Sequence, residues 1–414
     1  VITPETIVGI DVGTTKICAL VASVGRDNDL SIIGIGRVAS RGLRKGKVID
    51  LERTISSIRE SKIQAEQSAS ASIDSAYISI TGAHIQAQPA SAVVAVLDPN
   101  KGITEEETEH ALDLVQRVEI PKGRRLIDIR VRDYIVDGQV GISDPVGMTG
   151  MRLEVNALLV SASVAQLESI YRAVNNAGID VENIVLEPIA SAEAVLGPDE
   201  RMNGVALLDI GGGTTDVAVY RDDRVEHLAV FPVGGDHFDS DLAYGIGITA
   251  RQAELLKIKL GGVGSEYILS EDIIEISKRG GERRESIPLK IIAEIIHPRL
   301  EEILALVRDN LDKAGYLKEI PSGVVLTGGT SLLPGITEMA SRVFGVQARI
   351  GYPRNPDGLP EDLRNPMYAT AVGLVRIGMG EYMEKRMAKV PAPMDNALAT
   401  VQVWSKSVLR SIFR

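Results

Sequence analysis

The sequence predicts an α/β chain built on an internal duplication: two lobes, a compact subdomain inserted in the first, and an amphipathic helix at the C-terminus. Three observations lead there. Apolar strand segments and helical patterns follow one another along most of the chain. A strand–Asp–Gly–Thr–Thr–strand unit occurs twice, at Asp11-Val12-Gly13-Thr14-Thr15 and at Asp209-Ile210-Gly211-Gly212-Gly213-Thr214-Thr215. The copies lie about half a chain apart, which marks a duplication rather than a short-period repeat. Finally, Val401–Arg414 has apolar residues on one helical side and basic residues on the other.

Both glycine turns have the composition of a phosphate cradle. Glycine lets the backbone approach a ligand closely, and successive N–H groups in such a turn form a concave nest for an anion. The hydroxyls of Thr14, Thr15, Thr214 and Thr215 add donors, and Lys16 stands where an ammonium would neutralise a phosphate oxygen. Asp11 and Asp209 are placed to hold a hydrated divalent cation beside it. A glycine hairpin alone often only turns the chain; two copies are harder to dismiss.

Composition narrows the field. The 414 residues, 44% of them hydrophobic, are ample for several domains with real cores. Lys+Arg of 45 against Asp+Glu of 56 gives a net charge of −11, which argues against nucleic acid as the main partner. Cys18 stands alone, so an intramolecular disulfide and a cysteine metal site are excluded, and a reducing cytosol fits. The five histidines lack ligand spacing. No apolar run reaches the roughly 18 residues of a spanning helix, and Val1–Glu5 lacks the pattern of a signal peptide. The expected protein is soluble, or at most attached to a membrane surface.

In chain order, Ser31–Val38 continues the first sheet and Arg41–Lys47 is a basic turn. Leu51–Gln67 reads as a helix with Leu51, Ile55, Ile58 and Ile63 on one face, and Ser75–Thr81 as a strand. From His84 to Val155 the character changes to a compact insertion. It holds the strand Ala90–Val96, a helix capped by Thr104 running to Val118, strands in Leu126–Val136, and the loop Gly141–Gly150. Leu158–Ser161 is a strand and Val164–Ala177 a helix closed by Gly178. Glu187–Ala194 is a helix of small residues suited to a close crossing between lobes, with Glu187 toward the cleft. After the second hairpin, Gly234 and Gly235 precede a helix whose N-terminus would face phosphate. Glu254 and Lys257 form an i,i+3 pair, and Gly261–Glu285 reads as peripheral hairpins. Leu289–Tyr316 is helical with an interruption near Pro298, and Val324–Leu326 leads to the turn Gly328-Gly329-Thr330. A Pro-rich loop (Tyr352–Asn365), a packed helix (Tyr368–Ile377) and a linker (Glu381–Thr400) follow.

On the terminal helix, Val401, Trp404, Val408, Leu409 and Ile412 share one side with Phe413 at its edge, and Lys406, Arg410 and Arg414 fill the other. A basic amphipathic helix with aromatic residues fits an interfacial anchor on an anionic membrane. So short a segment is barely helical in water and is expected to fold on the lipid.

Taken together, these motifs resemble the actin/heat-shock chaperone/sugar kinase ATPase superfamily, whose fold is a duplicated, ribonuclease H-like one. Asp11–Lys16 matches its first phosphate motif, Asp209–Asp216 its second, Gly328–Thr330 its adenosine motif and Glu187-Pro188 its first connecting motif; Glu254 and Lys257 match positions lining the adenosine pocket. Asp144–Gly150 with Arg152-Leu153, the placement of the insertion and the terminal helix make the chain similar to the FtsA family of bacterial division proteins. The resemblance implies ATP and Mg²⁺ as cofactors, with Asp11, Asp209 and Glu187 as the candidate catalytic group and at most slow ATPase activity. It implies filaments of the protein itself at the cytoplasmic face of the cell membrane, at the septum. There they would bind the FtsZ C-terminal tail, tether the Z-ring through Trp404, Lys406, Val408, Leu409, Arg410, Ile412, Phe413 and Arg414, and recruit later division proteins. The implied layout is a first lobe of 1–83, 156–203 and 366–380, an insertion of 84–155, a second lobe of 204–225 and 289–365, and a small FtsZ-binding subdomain of 226–288. Residues 381–400 would be the linker and 401–414 the anchor. A PilM-like pilus-assembly adaptor and a small-molecule kinase of the same superfamily are the alternatives.

Overall fold

The fold was described from a computed structural model, which places residues 6–25, 29–278, 284–354 and 359–388. The terminal amphipathic stretch and residues 389–400 of the expected linker lie outside the described residues. By contact the described residues divide into two compact units, one of those up to Ala83, Ser169–Asp223 and those from Leu228 to Gly378, the other of His84–Glu168, Arg224–His227 and 379–388.

The first unit carries two five-stranded sheets of the same design. In one, Thr6–Val12 is central: Lys16–Val24 and Leu30–Ala39 follow antiparallel on one side, and Ser75–Ile80 and Asp180–Leu186 lie parallel on the other. In the second, Val205–Ile210 is central, with Thr215–Arg221 antiparallel and then Arg224–Phe231, of which 228–231 count with this unit, on one side, and Val324–Thr327 and Ala348–Ile350 parallel on the other. Counted in order of appearance within each lobe, both sheets run third, second, first, fourth, fifth. The duplication is therefore one of topology as well as of motif. Central strands buried on both faces explain why Val205–Ile210 is uninterrupted by exposed residues.

Helices complete two separate apolar cores. Leu51–Ala69, capped by the Asp50 carboxylate on the Arg53 N–H, buries Ile55, Ile58 and Ala65 against the first sheet. Ile63, expected on that face, is 45% exposed; Ser61 takes the inner position and bonds Gly36 O and Ala19 N. On the second sheet, Lys290–Lys313 is one continuous helix, not the broken one expected. Pro298 lies on its exposed face, while the stripe of Ile292, Ile296, Leu300, Ile303, Val307 and Leu311 stays buried on both sides of it. Packing outweighs the roughly 3 kcal/mol that an interior proline costs a helix. The last helix, Ala369–Ala388, runs beyond Ile377 into the expected linker; the first prolines after it are Pro391 and Pro393.

The second unit is a four-stranded antiparallel sheet, in the order Ile85–Ala95, Arg152–Ser163, Arg124–Val136, Gln139–Ile142, covered by the helix Glu105–Gln116. Thr104 and Glu107 form a capping box at that helix. The Leu126–Val136 segment is a single strand with bulges rather than several strands. Asp137-Gly138, both at positive φ, turns it into the next strand. Arg132 pairs with Glu226 at 2.7 Å, which ties residues 224–227 to this unit. Among the described residues no helix is long and apolar enough to cross a membrane.

Candidate nucleotide site

The two glycine hairpins meet. A Cβ added to Gly212 would lie 2.1 Å from Thr15 Cγ2, and one on Gly213 would lie 2.7 Å from Thr14 Cγ2. Glycine at these two positions lets the second turn close against the first without displacing those threonine side chains. Between them opens a cavity of about 380 Å³ within the first unit. Both hairpins line it, through Asp11, Gly13–Lys16, Asp209 and Gly211–Thr214, together with Glu187. The wall is continued by Glu254, Lys257, Ile258, Gly328–Thr330, Leu332–Pro334 and Met367.

Each aspartate is fixed by its sheet. Asp11 is the last residue but one of its strand and is 2% exposed; Ser79 on the adjacent parallel strand donates to its Oδ1 at 3.1 Å, and Lys16 pairs with its Oδ2 at 2.7 Å. Burial works against the Lys16 charge, but the charge and hydrogen bond of Asp11, together with Cys18 and Glu187, outweigh it and raise the lysine's pKa. In this structure, then, the ammonium expected to face phosphate is held by Asp11. Asp209 accepts from Ser191 Oγ and, at 3.4 Å, from Thr370 Oγ1. Burial lifts Asp209 to about 6, partly opposed by the Ser191 hydrogen bond. Opposite it in the hairpin register, Asp216 accepts from Thr81 Oγ1 and is pushed by burial to about 8.

Glu187 starts the helix Glu187–Val195 and is buried. Burial first, then the charges of Asp216, Asp11 and Asp209, hold its pKa well above the usual carboxylate range. A carboxyl held so far above its ordinary range is no ready base. The arrangement thus concentrates four carboxyls beside one lysine, at the point where both hairpins end.

Two family profiles match the chain: one described as "Cell division protein FtsA" over residues 206–373 and one described as "SHS2 domain inserted in FTSA" over residues 82–161. Cell division protein FtsA of Pseudomonas aeruginosa is 38% identical over 373 residues, spanning 90% of this chain and 89% of that protein. The chain belongs to the FtsA family. FtsA of Escherichia coli K12 is 34% identical across 91% of both chains, and FtsA of Bacillus subtilis 35% identical across 90% of this chain and 83% of the other. This is a cell division family, and its fold is actin-like. Among solved structures, a PilM-PilN type IV pilus biogenesis complex superposes with a TM-score of 0.66 at 17% identity, over 91% of this chain and 99% of that one. MreB5 of Spiroplasma citri, bound to ADP, gives 0.55 at 16% identity over 93% and 99%. At such identities the likeness is one of fold.

Within this FtsA-family chain, the cavity gathers most of the residues singled out by sequence: Asp11, Gly13, Thr14, Thr15, Lys16, Glu187, Asp209, Gly211, Gly212, Gly213, Thr214, Gly235, Glu254, Lys257, Gly328, Gly329 and Thr330. Two expected residues do not line it. Thr215 is fully buried, its hydroxyl donating to Val233 O at 2.8 Å, because it already belongs to the outgoing strand. Gly234 instead packs beneath the second hairpin, where a Cβ would meet Gly211 O at 2.6 Å. Lys257 pairs with Asp239 at 2.8 Å rather than with Glu254. Sequence reading missed Arg37, Met367 and Thr370; no local motif marks them, since chain folding alone carries them to the cavity.

Proposed function

We propose that the chain is an ATP-binding membrane adaptor that polymerises on the cytoplasmic face of the cell membrane, tethers FtsZ filaments there and helps recruit later division proteins. The observation that carries the nucleotide reading is the apposition of Asp11–Lys16 and Asp209–Thr214 across one cavity. The glycines there leave backbone N–H groups open to an anion, and the hydroxyls of Thr14, Thr15 and Thr214 extend the cradle. The rest of the lining, with Gly328 packed on the second hairpin and with Ile258, Leu332, Leu333 and Met367, offers apolar surface for a base.

Among the described residues no cluster of three or more His, Cys, Asp or Glu side chains could hold a metal unaided. The pair Asp11 and Asp209 fits Mg²⁺, which keeps much of its water and takes phosphate oxygens as ligands. Bound there, the ion would neutralise phosphate charge. Glu187 would orient water, and with no strong base in reach hydrolysis would be slow.

Nucleotide between the lobes would favour the conformation that binds it best, and thereby the polymerising form. A filament displays many weak anchors at once, so avidity multiplies membrane affinity. The same fold hosts the PilM-PilN complex, but the 33–38% identities to FtsA proteins favour the division reading over the pilus one.

The test is calorimetry with Mg·ATP, followed by electron microscopy on an anionic lipid monolayer with and without FtsZ. Deleting Val401–Arg414 is expected to abolish liposome binding and leave ATP affinity within about twofold, as separate sites require. Undiminished sedimentation of the truncated protein with anionic liposomes would refute the anchor.

A further inference from the structure

We infer that Lys45 reads the terminal phosphate, making the cavity prefer a nucleoside triphosphate to a diphosphate. This rests on the nucleotide reading above. The basic turn of residues 41–47 is a small built hairpin: Leu43 pairs with Val48 and Arg44 with Lys47. Its tip residues Lys45 and Gly46 have φ of 51° and 70°, the left-handed pair that a two-residue I′ turn requires. The tip is clamped onto the first phosphate turn, because the Gly46 N–H donates to Thr14 Oγ1 at 3.1 Å. It is also wedged against the end of the neighbouring strand: a Cβ on Gly46 would meet Thr81 O at 2.6 Å and Gly82 Cα at 2.8 Å. Lys45 is thus one residue away from a contact with Thr14, on a turn with little freedom to move.

Its charge is felt on the other side of the cleft as well. After burial, Lys45 is the next largest influence lowering the pKa of His237, in the first turn of the helix Gly235–Ile246. That turn is joined to the second hairpin, where Gly235 and Asp236 N–H donate to Gly211 O and Gly212 O at 2.9 and 2.7 Å. The hairpin that carries Lys45 is thus bonded to the first phosphate turn, and its charge is felt in the helix turn bonded to the second, although Lys45 itself is not among the residues that line the cavity. Of the three cations that line the cavity, Lys16 is neutralised by Asp11 and Lys257 by Asp239, while Arg37 donates to Tyr368 Oη at 3.0 Å. Among the described residues Lys45 has no ion-pair partner. In a chain of net charge −11, a half-buried cation left unpaired beside two phosphate turns is matched to the extra negative charge that separates a triphosphate from a diphosphate.

Calorimetric titration of the full chain with Mg·ATP and Mg·ADP tests this. Lys45→Ala is expected to weaken ATP binding about tenfold, equivalent to about 1.4 kcal/mol, with ADP affinity held within about twofold. Lys45→Arg should keep the preference for ATP, and Lys47→Ala, on the exposed flank of the same turn, should change neither. Lys45→Gln, which keeps length without charge, serves if the alanine variant does not fold. Equal losses for ATP and ADP, or no loss of either, would overturn the inference while leaving the nucleotide site standing. A wild-type protein that binds neither nucleotide would remove the site itself.

Discussion

Replacing Gly373 with alanine should force two helices apart. Gly373 lies in Ala369–Ala388, where that helix crosses Glu187–Val195. A Cβ there would sit 1.7 Å from Ala190 O, 2.4 Å from its carbonyl carbon and 3.0 Å from its Cα. All three are main-chain atoms, so no side chain can swing aside. Carbon contacts settle at about 3.5–4.0 Å, so the helices must separate by about 2 Å. The same crossing holds the 3.0 Å contact of Ser191 Oγ with Thr370 Oγ1 and the 2.9 Å bond from Arg376 Nη1 to Glu193 O. Overpacking costs about 1–3 kcal/mol, and each stretched hydrogen bond adds about 1 kcal/mol. The expected loss is about 3–5 kcal/mol, a large part of the about 5–15 kcal/mol that holds a domain together. Gly380, on the same helix, is the control. Nothing lies within 4 Å of a Cβ there, so Gly380→Ala should stabilise by about 0.5–1 kcal/mol through helix propensity alone. Urea unfolding followed by far-ultraviolet circular dichroism would separate the two by midpoint at unchanged slope. Because Ser191 and Thr370 both contact Asp209, the Gly373 variant should lose nucleotide affinity too. A Gly373→Ala unfolding free energy within about 1 kcal/mol of wild type would refute the crossing.

Gly212→Ala should wedge the hairpins open and weaken Mg·ATP binding about tenfold, an overpacking cost of about 1–2 kcal/mol. Adding Thr15→Ser removes the methyl 2.1 Å from the new Cβ and should restore part of the loss, as titration of the double variant would reveal. The buried acids also set a pH dependence. Folded values of about 6 for Asp209 and about 8 for Asp216 lie above the unfolded value, so their stabilising share is complete below pH about 4 and is lost as pH rises through the folded values. Ligand-free protein should therefore lose stability relative to Asp216→Asn as pH rises from 4 to 8, by at most about 1.4 kcal/mol per unit, the limiting slope for one proton. Parallel stability curves for the two proteins over that range would contradict it.

Much of this architecture was legible because it is locally encoded. Asp-Gly-Thr turns between apolar strands need only glycine's freedom and the strand period, and both hairpins form where the residues placed them. The Thr104 cap likewise depends on four consecutive residues. Other features depend on distant partners. Nothing near Lys257 indicates that it will choose Asp239, which approaches from the preceding helix, over the carboxylate three residues away. Pro298 reads as a break until the apolar stripe across it is seen to be buried. Ile63 fits the helical period but falls outside the strip covered by the sheet, where small Ser61 and Ala65 permit closer packing. Thr370 reaches Asp209 only after the chain has returned through both lobes.

The inserted subdomain enters along Ile85–Ala95 and leaves along Arg152–Ser163, and these strands are paired from Ile85 opposite Ala162 to Ala95 opposite Arg152. Its two ends therefore stand about 5 Å apart. A segment tethered through so narrow a neck closes its own loop and demands almost no chain entropy of its host. The same strand sequence recurs in both five-stranded sheets, one interrupted by this excursion and one not. In geometric terms the subdomain is a cassette: its outer surface can diversify, or the whole piece be exchanged, while the paired lobes keep their register.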